Sequence, residues 1–483
     1  MEPFRPRHRR MSQSILASRA LDGLLSSLGV SGSATIAASP PLYRTRFAAA
    51  DAAAAALAAG GVVAAEIAGS RGAVRVDRRR AEASLLSFAL QRFADPTRAP
   101  EQRLAPEQRS PVAGFHPTRD GRTVYLHAGF AHNTRGLLDL LGVEERRDAV
   151  VAAVARRDGR ELEEVIAAAG LCGAMVRAPS EWDACDAGRT LAARPVVEVV
   201  QVGDSPPQPL PNRDRRPLDG VRVLDLTRVL AGPTCARTLA LYGADALRVG
   251  ARELPSIPLF VADTGLGKRA TFVDLKTESG RAALGTLVDR CDVFSQGYRS
   301  GALERLGFGV ADVVARRPGV VYVSINCYGH EGAWRARPGW EQLAQTVTGM
   351  AYTHGRDLHG DLRGEGTAEL LPAAVNDYTT GYLAAYGAMV ALLRRAQFGG
   401  SYWVRVSLAR TAMWVRSLGV AAALPEPVAL ADTELASMRR QIDTAWGPLE
   451  HLQPAVSVDG VAVEWQSPPV PLGTHPPAFA ADA

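Results

Sequence analysis

Asp377 stands in Asn376-Asp377-Tyr378-Thr379-Thr380-Gly381, just before a long apolar run of helical character. A carboxylate at the first turn of a helix can serve as a nucleophile. It can equally do no more than cap the free N–H groups of that turn. Upstream, Ala231-Gly232-Pro233 turns a strand sharply into a helix whose unpaired N–H groups can face an anion, although a βα turn without a ligand reads the same way. Lysine occurs only at Lys268 and Lys276, in a chain with 55 basic residues. Such a bias follows from genome composition, yet an ammonium is a compact phosphate-binding charge that a guanidinium does not reproduce. Other routes to chemistry find no support. No G-x-S-x-G elbow, H-E-x-x-H pair, Walker A loop or G-x-G-x-x-G turn is present. The nine His show no ligand spacing, and His354 and His359 fall in a polar stretch expected to be a loop. The five Cys (Cys172, Cys185, Cys235, Cys291 and Cys327) form no C-x-x-C pair, so neither a metal site nor a disulfide framework is expected.

The elements that must position these residues follow from composition and periodicity. With 483 residues, 47% hydrophobic and 22% charged, the chain is globular and long enough for two to four domains. Net charge is +5, but Arg is scattered among Asp and Glu and not interleaved with aromatics, so nucleic acid is not an expected partner. No uninterrupted apolar stretch reaches membrane-spanning length, and the Arg5, Arg7, Arg9, Arg10 cluster precedes no apolar segment of signal-peptide type. A cytoplasmic protein is expected. After Pro217 the pattern becomes strand, helix, strand: Val221–Leu226, Ala231–Tyr242, then Ala246–Val249. Further strands are expected at Ala270–Leu275, Val293-Phe294 and Val320–Ile325, which makes this part a doubly wound, Rossmann-like α/β sheet. A smaller α+β domain is expected before it. The division is 1–110, 111–212, 213–430 and a tail 431–483 returning to the large domain, with residues 1–40 frayed and 95–112 an exposed linker.

The first and third parts share a pattern. Asp51, Leu57 and Gly60, then Val74-Arg75-Val76, repeat Asp377, Leu383 and Gly387, then Val404-Arg405-Val406. Two Ala-rich helices followed by strands give the same result by chance. Asp51 sits among alanines, with no polar neighbour in sequence to orient it.

From Pro217 to about Ala412 the chain resembles the family III CoA-transferases, the group of formyl-CoA and carnitine CoA-transferases and α-methylacyl-CoA racemase. The resemblance rests on ordered blocks. They are Pro217-Leu218-Asp219-Gly220-Val221-Arg222-Val223-Leu224-Asp225-Leu226-Thr227, Ala231-Gly232-Pro233, Gly243-Ala244-Asp245, Gly267-Lys268-Arg269 and Asp274-Leu275-Lys276. Gln296-Gly297-Tyr298-Arg299-Ser300-Gly301, Tyr328-Gly329, Asn376-Asp377-Tyr378 and Gly399-Gly400-Ser401 complete them. Leu171-Cys172-Gly173-Ala174 and Glu181-Trp182 look like the family's small domain, which normally follows the large one and here precedes it. Residues 1–110 would be a degenerate first copy.

The resemblance implies a transferase that moves CoA between an acyl-CoA and a free carboxylic acid, with Asp377 attacking the thioester to give a mixed anhydride. It implies CoA contacts at Val229, Leu230, Ala231 and Gly232, at Lys268 and Arg269, and at Gly297, Tyr298 and Arg299, and it implies no metal. It also implies a homodimer, or a dimer with a related chain, since in this family the small domain of one chain closes over another. Departures narrow the reading. Gly339-Trp340-Glu341 replaces the racemase Gly-His-Asp, so the proton-shuttling His is missing, and Glu341 resembles the Glu beside the active Asp of the formyl-CoA type. Leu230 replaces that type's Gln. A racemase or lyase-type enzyme and an inactive CoA-binding subunit remain as alternatives.

Overall fold

In a computed structural model of the chain the described residues are 14–480, apart from 96, 98, 100–109, 211–215 and 361–367. Most of the expected linker at 95–112 and of the charged stretch at 213–216 lies outside them. The central element is Arg222–Leu226 (β8), whose Val223, Leu224, Asp225 and Leu226 are all buried. A strand buried on both faces belongs in the middle of a parallel sheet. Around it lie Asp245–Gly250 (β9), Lys268–Phe272 (β10), Val293–Gln296 (β11), Val321–Asn326 (β12) and Ser401–Ser407 (β13). The order is β10-β9-β8-β11-β12-β13-β7, where β7 is Glu198–Gly203. The six strands β8 to β13 run parallel, and β7 pairs antiparallel with β13 as an edge. The order reverses between β8 and β11, and such a reversal opens a crevice beyond the carboxyl ends of the strands.

Placing β7 in this sheet corrects the expected limit at residue 212, which would cut the strand from the sheet it completes. The smaller α+β unit is built on Gly114–Pro117 (β4), Thr123–Leu126 (β5) and Gly173–Met175 (β6), an antiparallel sheet with its own apolar core of Val124, Leu126, Leu137, Val150, Leu162 and Ile166.

Residues 14–37 are not frayed. Leu21, Leu24, Leu25 and Leu28 bury one side of the helix Ile15–Leu28, which Ser14 caps and Gly29 ends in the left-handed conformation. Ala34–Ala37 (β1) pairs parallel with Val74–Asp77 (β2), and β2 takes Val456–Val458 (β16) antiparallel on its other side. Arg92–Phe93 (β3) likewise joins Arg439–Thr444 (β14) and Gly447–Leu452 (β15). Residues 34–93 are therefore stitched to the C-terminal part. The Asp51 helix, Ala49–Ile67, is long and apolar enough to cross a membrane by length and composition. Here nearly all of it is buried against the Asp377 helix, Val375–Phe398.

Candidate active site

The cleft opens at the carboxyl ends of the strands. Thr227 to Gly232 follow β8, Gly297 to Ser300 follow β11, and Asn326-Cys327 end β12; all of them line it. The turn is tight because Gly232 lies against the Thr227 side chain, where any Cβ would collide. Val229, on its approach, has φ 69°, the sole non-glycine residue at positive φ among the described residues. For a β-branched side chain that conformation is strained, and such strain gathers at functional sites.

The turn is held from behind by the residue expected to bind phosphate. Lys268 is a correction. Its ammonium is buried, donates to Asp225 Oδ2 at 2.8 Å and to the Pro233 carbonyl at 3.1 Å, and burial pushes its pKa down to about 8. Asp225 in turn accepts from the Thr227 backbone N–H at 3.1 Å and from its hydroxyl. Lys268 is thus a positioning residue beneath the turn. Arg269 is a second correction. It lies at the start of β10 and lines a separate groove with Arg216, Arg222 and Asp292, at the amino ends of the strands. Of the other expected contacts, Val229, Leu230, Ala231, Gly232, Gly297, Tyr298 and Arg299 all line the cleft.

Asp377 reaches the same cleft and is the sole carboxylate among its lining residues. It sits in the first turn of its helix, and that turn is capped from outside. Glu341, buried at the start of the helix Glu341–Val347, accepts the backbone N–H of Asn376 at 3.1 Å and of Asp377 at 2.7 Å, and the Gln345 amide at 2.7 Å. Two N–H groups of the first turn of the Asp377 helix are thereby satisfied by Glu341, a carboxyl placed at the positive end of that helix. Burial outweighs those hydrogen bonds and pushes the Glu341 carboxyl up to about 7.

A pH effect follows. A carboxyl held above its ordinary range keeps in the folded state a proton that the unfolded chain gives up, so stability falls as pH rises through that window. Between the ordinary carboxylate range and about 7 the loss should approach roughly 3 kcal/mol. Urea unfolding across pH should show this slope in the native chain and its removal in Glu341→Gln; equal slopes would show that another group is responsible.

Sequence reasoning missed the opposite wall. Phe130, His132 and Asn133, after β5, and Cys172, before β6, reach over the cleft from the smaller unit. Trp340 fixes this lid: the His127 ring stacks on it at 4.4 Å and Phe130 meets it edge-on at 5.3 Å. Arg299 donates to the Gly170 carbonyl at 2.9 Å, and Arg337 pairs with Glu164. Arg228, also missed, lies over the Phe130 ring at 5.1 Å and donates to the Pro255 carbonyl. His132 is pushed below its usual range by burial and then by Arg299, Arg228 and Arg135. Like charges thus crowd the mouth of the cleft. The only sequence signal for this wall was the Leu171-Cys172-Gly173 block. His354 and His359 lie not in a loop but on the helix Met350–His359, and His359 meets Glu369.

The family model for CoA-transferase family III matches residues 218–439, which include the turn, the Tyr298 loop, Glu341 and Asp377. Residues 218–439 belong to CoA-transferase family III. The chain is 33% identical to an acyl-CoA transferase of Gibberella moniliformis over 362 residues, 65% of this chain and 63% of that protein. It is 32% identical to an acetyl-coenzyme A transferase of Hypoxylon pulicicidum over 350 residues, 67% of this chain and 58% of that protein. A succinyl-CoA:glutarate CoA-transferase of Homo sapiens is 32% identical over 209 residues, 40% of this chain and 45% of that protein. The chain therefore spans less than two thirds of the length of each of these transferases. All three relatives are named as transferases of CoA or of its thioesters.

Proposed function

We propose that the protein moves CoA from an acyl-CoA to a free carboxylic acid, and that Asp377 takes up first the donor's and then the acceptor's acyl group as a mixed anhydride. The observation that carries this reading is the placement of one carboxylate, Asp377, in a cleft whose mouth is crowded with cations and whose floor is the Gly232 turn. The site suits CoA. Arg228 and Arg299 offer guanidinium forks to its phosphates, and Gly232 lets the backbone approach closely. Tyr298 and Trp340 present flat apolar faces to the remainder of the cofactor.

In the first step the Asp377 carboxylate attacks the thioester carbonyl, the C–S bond breaks and CoA leaves as thiolate with the bond pair. The acceptor carboxylate then displaces the donor acid at the Asp377 carbonyl. The thiolate finally attacks the acceptor's carbonyl and releases Asp377. An anhydride is as activated as a thioester, so the exchange needs no ATP. Glu341 holds the first turn of the Asp377 helix and so fixes where the carboxylate projects.

The test is to incubate the protein with labelled acyl-CoA, trap with hydroxylamine and map the modified residue. A hydroxamate at Asp377 is expected. Exchange activity with no trapped aspartyl derivative would overturn the anhydride route, and modification at another residue would move it elsewhere.

A further inference from the structure

The repeat noticed in the sequence returns as packing, with one shift. Gly61, not Gly60, lies ten residues after Asp51, as Gly387 lies ten after Asp377. A Cβ on Gly61 would stand 2.8 Å from Val74 and from Val456, with Val458 at 3.8 Å. A Cβ on Gly387 would stand 2.7 Å from Val404 and from Val197, with Val199 at 3.8 Å. The strands repeat too. In one place β1 lies parallel to β2 and β16 is added antiparallel; in the other β12 lies parallel to β13 and β7 is added antiparallel. In each triplet the antiparallel strand comes from the other half of the chain. Both central strands pass directly into a helix, Arg78–Ser84 after β2 and Leu408–Ser417 after β13.

This register places Arg78, the first residue of its helix, where the second half has Leu408. Leu408 lines the cleft beside Asp377. Arg78 instead grips Asp51 with both ends of its guanidinium, at 3.0 and 2.7 Å, while the Ser14 hydroxyl donates to the same carboxylate at 2.5 Å. Asp51 is therefore neither unoriented nor available, and the lid residues Phe130, His132, Asn133 and Cys172 line the cleft that Asp377 enters.

We infer that one chain is an internal pair of interlocked halves with a single live site, completed in cis by its own lid, and that a second copy contributes no residue to that site. The dimer expected from the resemblance had the task of bringing the small domain to a site. Within this chain the smaller unit already lines the cleft, and β7, which follows it in sequence, ties it to the large sheet. Asp51 marks the counterpart position, closed by Arg78. The inference rests on the function proposed above only for the meaning of the live site.

Two differently tagged chains, one carrying Asp377→Asn and the other the lid change Phe130→Ala, should be co-expressed and purified through both tags. Assembly in cis predicts either no doubly tagged species or one no more active than the two variants alone. Recovery towards half of wild-type activity would overturn the inference, because a hybrid dimer sharing lids holds one intact site. His132→Ala serves as a second lid variant where Phe130→Ala fails to fold. Native mass spectrometry of the wild-type chain with CoA gives a readout independent of turnover. One CoA on a single 51.3 kDa chain is expected. Two CoA per chain, or separated single chains that bind none where the paired species binds it, would overturn the inference. A wild-type chain that binds CoA singly yet exchanges none would instead count against the proposed function.

Discussion

Asp377→Asn should abolish CoA exchange, lowering kcat by roughly 10^4-fold or more, while acyl-CoA binding is retained. An amide of the same shape keeps the first turn of its helix, because Glu341 caps the backbone N–H groups of that turn. It cannot donate the electron pair that forms an anhydride. Steady-state kinetics paired with CoA titration calorimetry separates the two effects, and near-full exchange in the variant would remove Asp377 from the mechanism. Asp51→Asn is the control: it disturbs the contact with Arg78 but should leave the kinetics at the cleft intact.

Lys268→Ala should act on the fold and not on cofactor affinity directly. Removing a buried ammonium strands Asp225, a fully buried carboxylate, and breaking one partner of such a pair costs about 3–5 kcal/mol. Thermal and urea unfolding should show the loss. Asp225 also holds Thr227, and Thr227 packs on Gly232, so the surviving folded enzyme should show a displaced turn and a lower kcat. A variant with wild-type stability and only a raised KM for acyl-CoA would restore Lys268 to a phosphate contact. Lys268→Met, which fills the space but still orphans Asp225, should be destabilised as well. The paired change of Lys268→Met with Asp225→Leu should recover part of the loss, since an apolar pair of similar volume removes the stranded charge.

How far the sequence carries depends on whether the information is local. The strand Val221–Leu226, the Gly-Pro turn and the Asp377 helix each have their signal within a dozen residues, and all three stand where they were read. Lys268 and Arg269 were misassigned because a strand alternates its faces and its two ends point to different rims of the sheet. One of the two turned inward to Asp225 and the other sits at the amino-terminal edge. Types and spacing do not tell these apart. Arg228 was passed over because one arginine among so many carries no signal, and only its seat on Phe130 marks it. The lid was illegible for a different reason: Phe130 and Asp377 line one cleft across a chain separation that no periodicity spans.

The exchange of β7 and β16 also sets an order of events during synthesis. The strand β2 emerges early, but its partner β16 lies about 380 residues further along. At roughly 5–20 residues per second, the nascent chain holds that strand edge unpaired for some 20–80 s. The edge of β13 finds its partner β7 already made, and nothing delays it. The two halves are thus alike in geometry and unlike in history. The amino-terminal one must stay soluble while incomplete, and Arg75 and Asp77, both exposed on β2, place charge along the waiting strand, where charge discourages pairing with other chains.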